Sequence, residues 1–147
     1  MHIETQFSVF MINKPGVMAG LMEDIAKAKI NILALTVMDS VEHGVLRLVG
    51  GSREKVRKLL GSKNLTFNET DVLCVNLPNK AGAFADVAHK LADAHINVSY
   101  AYCTAGARGG RTTGILKVAD VKRAIKILQG PAPKPKKKTV KRPAGKR

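Results

Sequence analysis

The chain has 147 residues, is 45% apolar and carries a formal net charge of +14, which fits one domain of ordinary size or two small ones. Aromatics are only 4% and Trp is absent, so the core must be built from aliphatic side chains. No run approaches the roughly 18–20 apolar residues of a membrane span, no secretory signal pattern opens the chain, and two cysteines are too few for a disulfide framework; the expectation is a cytoplasmic protein without membrane contact.

Residues 6–12 alternate in polarity and begin with β-favouring types, which predicts a strand. It runs into Asn13-Lys14-Pro15-Gly16, where Pro15 cannot donate to a ladder and Gly16 permits backbone geometry a Cβ would forbid. Over residues 16–28, Val17, Leu21, Ile25 and Ala28 fall at helical spacing, with Glu23, Asp24 and Lys27 off that stripe. Residues 30–38 are rich in β-branched and aliphatic side chains and predict a second strand. Residues 39–44 read as a hairpin turn by composition, and 45–49 as the returning strand. Ser52 is placed to cap a helix using Val56, Leu59 and Leu60, closed by Gly61. Residues 65–70 give a fourth strand. The order β-α-β-β-α-β is a split βαβ unit, whose right-handed crossovers put both helices on one face of an antiparallel sheet.

The second half repeats the first. At an offset of 66, Phe7, Val9 and Met11 meet Leu73, Val75 and Leu77. Asn13, Lys14 and Gly16 meet Asn79, Lys80 and Gly82, and Ile30-Asn31-Ile32 meets Ile96-Asn97-Val98. The register then slips by four, lengthening the second hairpin loop, so that Gly44–Arg47 matches Gly114–Lys117. Two copies at this period mean paired domains rather than a solenoid. The expected organisation is a first unit at 1–70, a second at 71–130 and a tail at 131–147. Asp120 caps the last helix of the second copy, which then passes into Pro- and Lys-rich sequence with no recognisable fourth strand. A first strand left partly unpaired in that copy would invite a partner chain, so a homodimer through a sheet edge is expected.

A helix N-terminus entered through a glycine offers free N–H groups and a partial positive charge to a carboxylate or phosphate. Lys14 and Lys80 would add charge, and Asn31 and Asn97 follow the same helices. The plainer reading of each residue is a tight turn or a local backbone bond. The repeated combination of strand, "NKPG" or "NKAG", amphipathic helix, "INI" or "INV" and strand–hairpin–strand resembles the ACT domain, and in particular small proteins made of two ACT domains in tandem. The resemblance spans residues 5–130. It implies an α+β fold of two ferredoxin-like βαββαβ units in tandem, with antiparallel sheets and helices on one face. It also implies a non-catalytic regulatory or sensor role, with no cofactor, in which a small amino acid binds where two ACT-like domains meet and acts allosterically on a partner. Carried onto this sequence, the ligand-binding residues are Asn13, Lys14, Gly16, Val17 and Asn31 in the first copy, and Asn79, Lys80, Gly82, Ala83 and Asn97 in the second. The second copy departs by having Ala81 in place of proline and by lacking the last strand.

No other stretch proposes chemistry. His2, His43, His89 and His95 show no close metal-ligand spacing and read as solvated. Cys74 and Cys103 fall on predicted strands, where a buried thiol acts as a small hydrophobe. Phosphate-loop, dinucleotide and nucleophile-elbow motifs do not occur, so neither a metal nor a catalytic residue is expected. The tail holds eight Lys/Arg and no acid, leaving the other 130 residues at +6. It lacks the apolar content to pack and should be disordered. Lys134, Lys136, Lys137, Lys138, Lys141 and Arg142 resemble the basic tails of DNA-compacting proteins. That resemblance implies an alternative function, salt-sensitive attachment to nucleic acid; a solubilising extension is the plainer reading.

Overall fold

A computed structural model of the chain describes residues 1–38, 43–104 and 110–130. Its elements are β1 (His2–Ile12), α1 (Val17–Lys27), β2 (Ile32–Met38), β3 (His43–Gly50), α2 (Arg53–Ser62), β4 (Thr66–Pro78), α3 (Ala83–Asp93), β5 (Val98–Cys103), β6 (Arg111–Val118) and α4 (Val121–Gln129). The six strands form one sheet in the order β2-β3-β1-β4-β6-β5, with every neighbouring pair antiparallel. The tandem ferredoxin-like α+β architecture expected from the repeat is therefore the one found.

The two units share β4. Its first half pairs with β1, from Phe10 opposite Thr66 to His2 opposite Cys74, and its second half pairs with β6, from Leu73 opposite Leu116 to Pro78 opposite Arg111. The expected boundary at 70/71 falls inside this strand. The edge expected to be bare on the first strand of the second copy is thus covered by the start of β1 as far as Cys74. A strand that begins at His2 rather than at residue 6 is long enough to reach it. The outer strands of the sheet are β2 and β5.

Side-chain parity along β4 shows how the layers form. Phe67 packs with Phe7, Val9, Leu21, Ile25, Leu46, Leu48, Val56 and Leu60 beneath α1 and α2. Leu73, Val75 and Leu77 pack with Val87, Leu91, Leu116, Ala124 and Leu128 beneath α3 and α4. These β4 residues are all odd-numbered and the register is unbroken, so all four helices cover one face. The even-numbered face curls onto itself. Gln6 of β1 is fully buried and donates to the Tyr100 hydroxyl at 2.7 Å, and it accepts from Tyr102 at 3.0 Å, although β5 lies three strands away. Arg47 of β3 stacks over the Tyr100 ring at 3.8 Å. Ala34, Val49, Val72, Cys74 and Ile115 fill the curl with Tyr102. Burial there pushes the Cys74 thiol up to about 11 and the Tyr102 phenol up as well.

Helix ends explain the "INI" and "INV" signatures. Lys29 and His95 both have positive φ, and the N–H groups of Ile30 and Ile96 reach back to the carbonyls of Ile25 and Leu91. Each isoleucine is buried, which completes a Schellman-type stop. α2 stops in the same way after passing through Gly61 to Ser62, with Asn64 at positive φ. Gly61 therefore does not close that helix. Cys103 is exposed rather than buried, because β5 is an outer strand.

Candidate functional site

Both strand–helix turns are built alike. Gly16 caps α1 at φ 88° and Gly82 caps α3 at φ 87°, a left-handed conformation that L side chains rarely adopt. In each turn the lysine N–H bonds to the carbonyl two residues back, Ile12 or Pro78, at 2.9 and 2.8 Å. The N–H of Val17 or Ala83 then reaches the lysine carbonyl at 3.3 Å. Neither helix has a side-chain cap on its N-terminus. Residues 12–20 are exposed throughout, so the α1 end faces solvent.

The structure brings some of the expected residues together and separates others. Asn13, Lys14, Gly16 and Val17 form one turn, and Asn79, Lys80, Gly82 and Ala83 the other. The two turns extend beyond opposite ends of β4, so its thirteen residues set them roughly 40 Å apart. Asn31 does not join the first turn. It follows the far end of α1, an eleven-residue helix rising about 16 Å, and its carbonyl accepts the Gly51 N–H at 2.8 Å. Asn97 is likewise at the far end of α3 and lines a separate cavity with Ala88, Ala92, His95, Ile96 and Val98. The helix between turn and strand forces both separations, since the second strand must start where the helix ends. The tail residues Lys134, Lys136, Lys137, Lys138, Lys141 and Arg142 lie outside the described residues.

Beside the first turn is a cavity of about 290 Å³, lined by Met11, Gly16, Val17, Gly20, Leu21, Asp24, Lys63 and Leu65. Val17, Gly20, Leu21 and Asp24 stand at i, i+3, i+4 and i+7, one face of α1. Met11 at the end of β1 forms the floor, and the connection from α2 to β4 supplies the opposite wall. Lys63 Nζ meets Asp24 Oδ2 at 2.8 Å across it. The sequence pointed to Gly16 and Val17 but not to Gly20, Asp24, Lys63 or Leu65. Asp24 and Lys63 are 39 residues apart in the chain, and only the fold makes them neighbours; a glycine one turn into the helix was the one visible signal.

A larger groove of about 540 Å³ lies between the units, lined by Ile3, Glu69, Thr70, Asp71 and residues 117 and 119–122. On its first-unit side Glu69 is held by Arg57 (Nη2–Oε2 2.7 Å) and Arg53 (Nε–Oε2 3.0 Å), and the Arg57 hydrogen bond brings its carboxyl down to about 2. Among the described residues no cluster of His, Cys, Asp or Glu could hold a metal ion, and no helix is long and apolar enough to cross a membrane.

The chain is similar in structure to a Bacteroides thetaiotaomicron protein, at 28% identity and a TM-score of 0.79 with 86% of each chain covered. It is also similar to the ligand-free regulatory subunit of aspartate kinase from Thermus thermophilus, at 10% identity and a TM-score of 0.62, covering 87% of this chain and 95% of that one. The regulatory subunit from Thermus flavus aligns at 13% identity and a TM-score of 0.55, covering 86% and 93%. No curated protein matches the sequence. The family model described as an ACT domain pair matches residues 1–129, and the chain belongs to that family.

Proposed function

We propose that the protein is a non-catalytic regulatory module that binds a small amino acid at the first strand–helix turn and passes the binding on as a change in conformation or association. The observation that carries this reading is the cavity beside Gly16 and Val17, next to a helix N-terminus with no side-chain cap and no acidic residue in its first turn. N–H groups at the start of a helix suit a carboxylate. Family membership supports the regulatory role, and the structural likeness to aspartate kinase regulatory subunits accords with it. Regulation requires only that the ligand prefer one of two states. Self-association through an outer strand of the sheet is one such readout, with β2 and β5 the strands available.

The test is a thermal-shift screen of the full chain against the twenty amino acids, repeated on Val17→Glu. A ligand at a hundredfold its Kd stabilises by roughly 2.7 kcal/mol. The introduced carboxylate would suit the helix dipole and keep the fold, while it repels the ligand's carboxylate. The expected result is a stabilising amino acid whose effect disappears in the variant. A screen with no stabilising amino acid overturns the reading.

A second reading rests on charge alone: the eight basic residues of 131–147 attach the protein to nucleic acid. Retention on DNA at low salt that survives removal of those residues would defeat it.

A further inference from the structure

A cation in the first turn of a helix faces the positive end of the helix dipole and is unfavourable there. α4 nevertheless opens with Val121-Lys122-Arg123 and has no acid in that turn, whereas α2 and α3 carry Glu54 and Asp86 in theirs. Arg123 is compensated, since its Nη2 donates to the Ala94 carbonyl at 2.9 Å. Lys122 is not: its side chain has no hydrogen-bond or ion-pair partner among the described residues. Neither has that of Lys126, one turn on and exposed on the same side of the helix. In the first unit, by contrast, Arg53 and Arg57 meet Glu69, Lys63 meets Asp24 and Lys27 meets Glu23. The apolar side of α4, with Val121, Ala124 and Leu128, is buried in the core, so the charged side is what the helix presents to solvent.

We propose that this face of α4, with Lys122, Lys126 and Arg123, binds the phosphate backbone of duplex DNA, and that the chain beyond it extends the same contact. The proposal rests on the nucleic-acid reading above and deepens it by adding a folded surface to the tail. After Asp120 the chain carries eleven Lys or Arg and no acid, three on α4 and eight in 131–147. Asp120 itself is occupied in accepting the Arg123 N–H at 2.9 Å. Gly130 ends the helix in an extended conformation, and chain length keeps Lys134 within about 14 Å of it. Positive charge therefore runs on from helix to tail, which suits a polyanion of regular charge spacing. Single strands are gripped by stacking their bases on aromatic rings, and no aromatic residue follows Tyr102. Stable attachment to a bilayer needs an apolar face or a lipid chain besides basic residues, and α4 has buried its apolar face. A duplex held through its phosphates needs neither.

Fluorescence anisotropy of the full chain on two DNA duplexes of unrelated sequence, over a series of salt concentrations, tests this, with single-stranded DNA and anionic phosphatidylserine vesicles as competitors. Lys122→Gln/Lys126→Gln is compared with Lys55→Gln/Lys58→Gln, which removes the same charge from exposed positions on α2. The expected result is that the α4 variant lowers the slope of log K against log salt by about 2 in magnitude. The loss should be equal on both duplexes and leave Tm unchanged, and the α2 variant should keep the parent's slope. A parent slope in the α4 variant, or the same loss in the α2 variant, overturns the inference and leaves the tail reading standing. An α4 variant that melts several degrees lower shows that the two lysines serve the fold, and overturns it as well. Preference for the single strand or for the vesicles overturns duplex DNA as the partner. If the parent chain does not bind the duplexes even at low salt, the reading and the inference fall together.

Discussion

The two strand–helix turns share a backbone and differ in what surrounds it. Gly16 and Gly82 take the same left-handed conformation, and the same pair of backbone hydrogen bonds closes each turn. Beyond the glycines the copies part. The first turn of α1 carries no acid, whereas α3 places Asp86 in its first turn, where a negative charge supports the helix and repels a carboxylate. The cavity beside α1 is closed on its far side by residues leading into β4, the fourth strand of that unit. No fourth strand of the second unit's own lies among the described residues. A duplicated motif therefore keeps the turn as structure, and the neighbouring side chains decide whether it becomes a site.

The largest expected effect tests whether the two units are independent at all. Leu73 is fully buried in the second unit's core, on the strand both units share. Leu73→Ala should cost about 3 kcal/mol. Because β4 belongs to both halves, chemical denaturation of the variant should still show one transition. Two separated transitions would mean that the halves fold on their own.

Gln6 joins the halves on the other face. Gln6→Ala leaves the hydroxyls of Tyr100 and Tyr102 without their partner and should cost about 2 kcal/mol. Paired with Tyr100→Phe in a double-mutant cycle, the two changes should be strongly non-additive. Additive costs would show that the curl of the sheet does not depend on this contact.

A smaller pair of changes addresses the turns directly. Gly16→Ala and Gly82→Ala each force an L residue to a φ near +88° with open space around the new Cβ. Each should cost about 1 kcal/mol, and the two costs should match. Their effect on amino-acid binding should not match: Gly16→Ala should weaken it and Gly82→Ala leave it unchanged. Equal losses of binding would restore the symmetry between the turns.

What could be read from the sequence divides along the same line. The strand–turn–helix order and the repeat were legible because alternation, helical spacing and glycine placement are local properties. Asn31 and Asn97 were legible as motif members but not as neighbours of the turns, because their distance depends on the length of the intervening helix. The continuity of β4 was hidden because residues 66–78 read as the end of one copy and the start of another. The Asp24–Lys63 contact left no trace in composition or spacing. The Gln6 contact was equally hidden, since a glutamine in an alternating strand gives no sign that the sheet will curl over it.

The smallest effect separates the units by pH. All ion pairs among the described residues involve first-unit side chains, and the strongest is Glu69 between Arg53 and Arg57. Its folded pKa of about 2 lies below an ordinary 4.5, so its contribution is complete above pH 4.5 and is lost as the pH falls toward 2. The side chain is one-fifth exposed, so the contribution is about 1 kcal/mol, the upper end for a surface pair. Val121–Gln129 has no such anchor; its Asp120 cap accepts a backbone N–H from Arg123 at 2.9 Å. Hydrogen exchange at pH 3 should therefore speed up at the amides of α2 relative to those of α4, compared with pH 6. Glu69→Gln should remove the pH dependence of that ratio while lowering stability at pH 6. A ratio that does not change with pH in the parent chain would mean that Glu69 stabilises the two units alike.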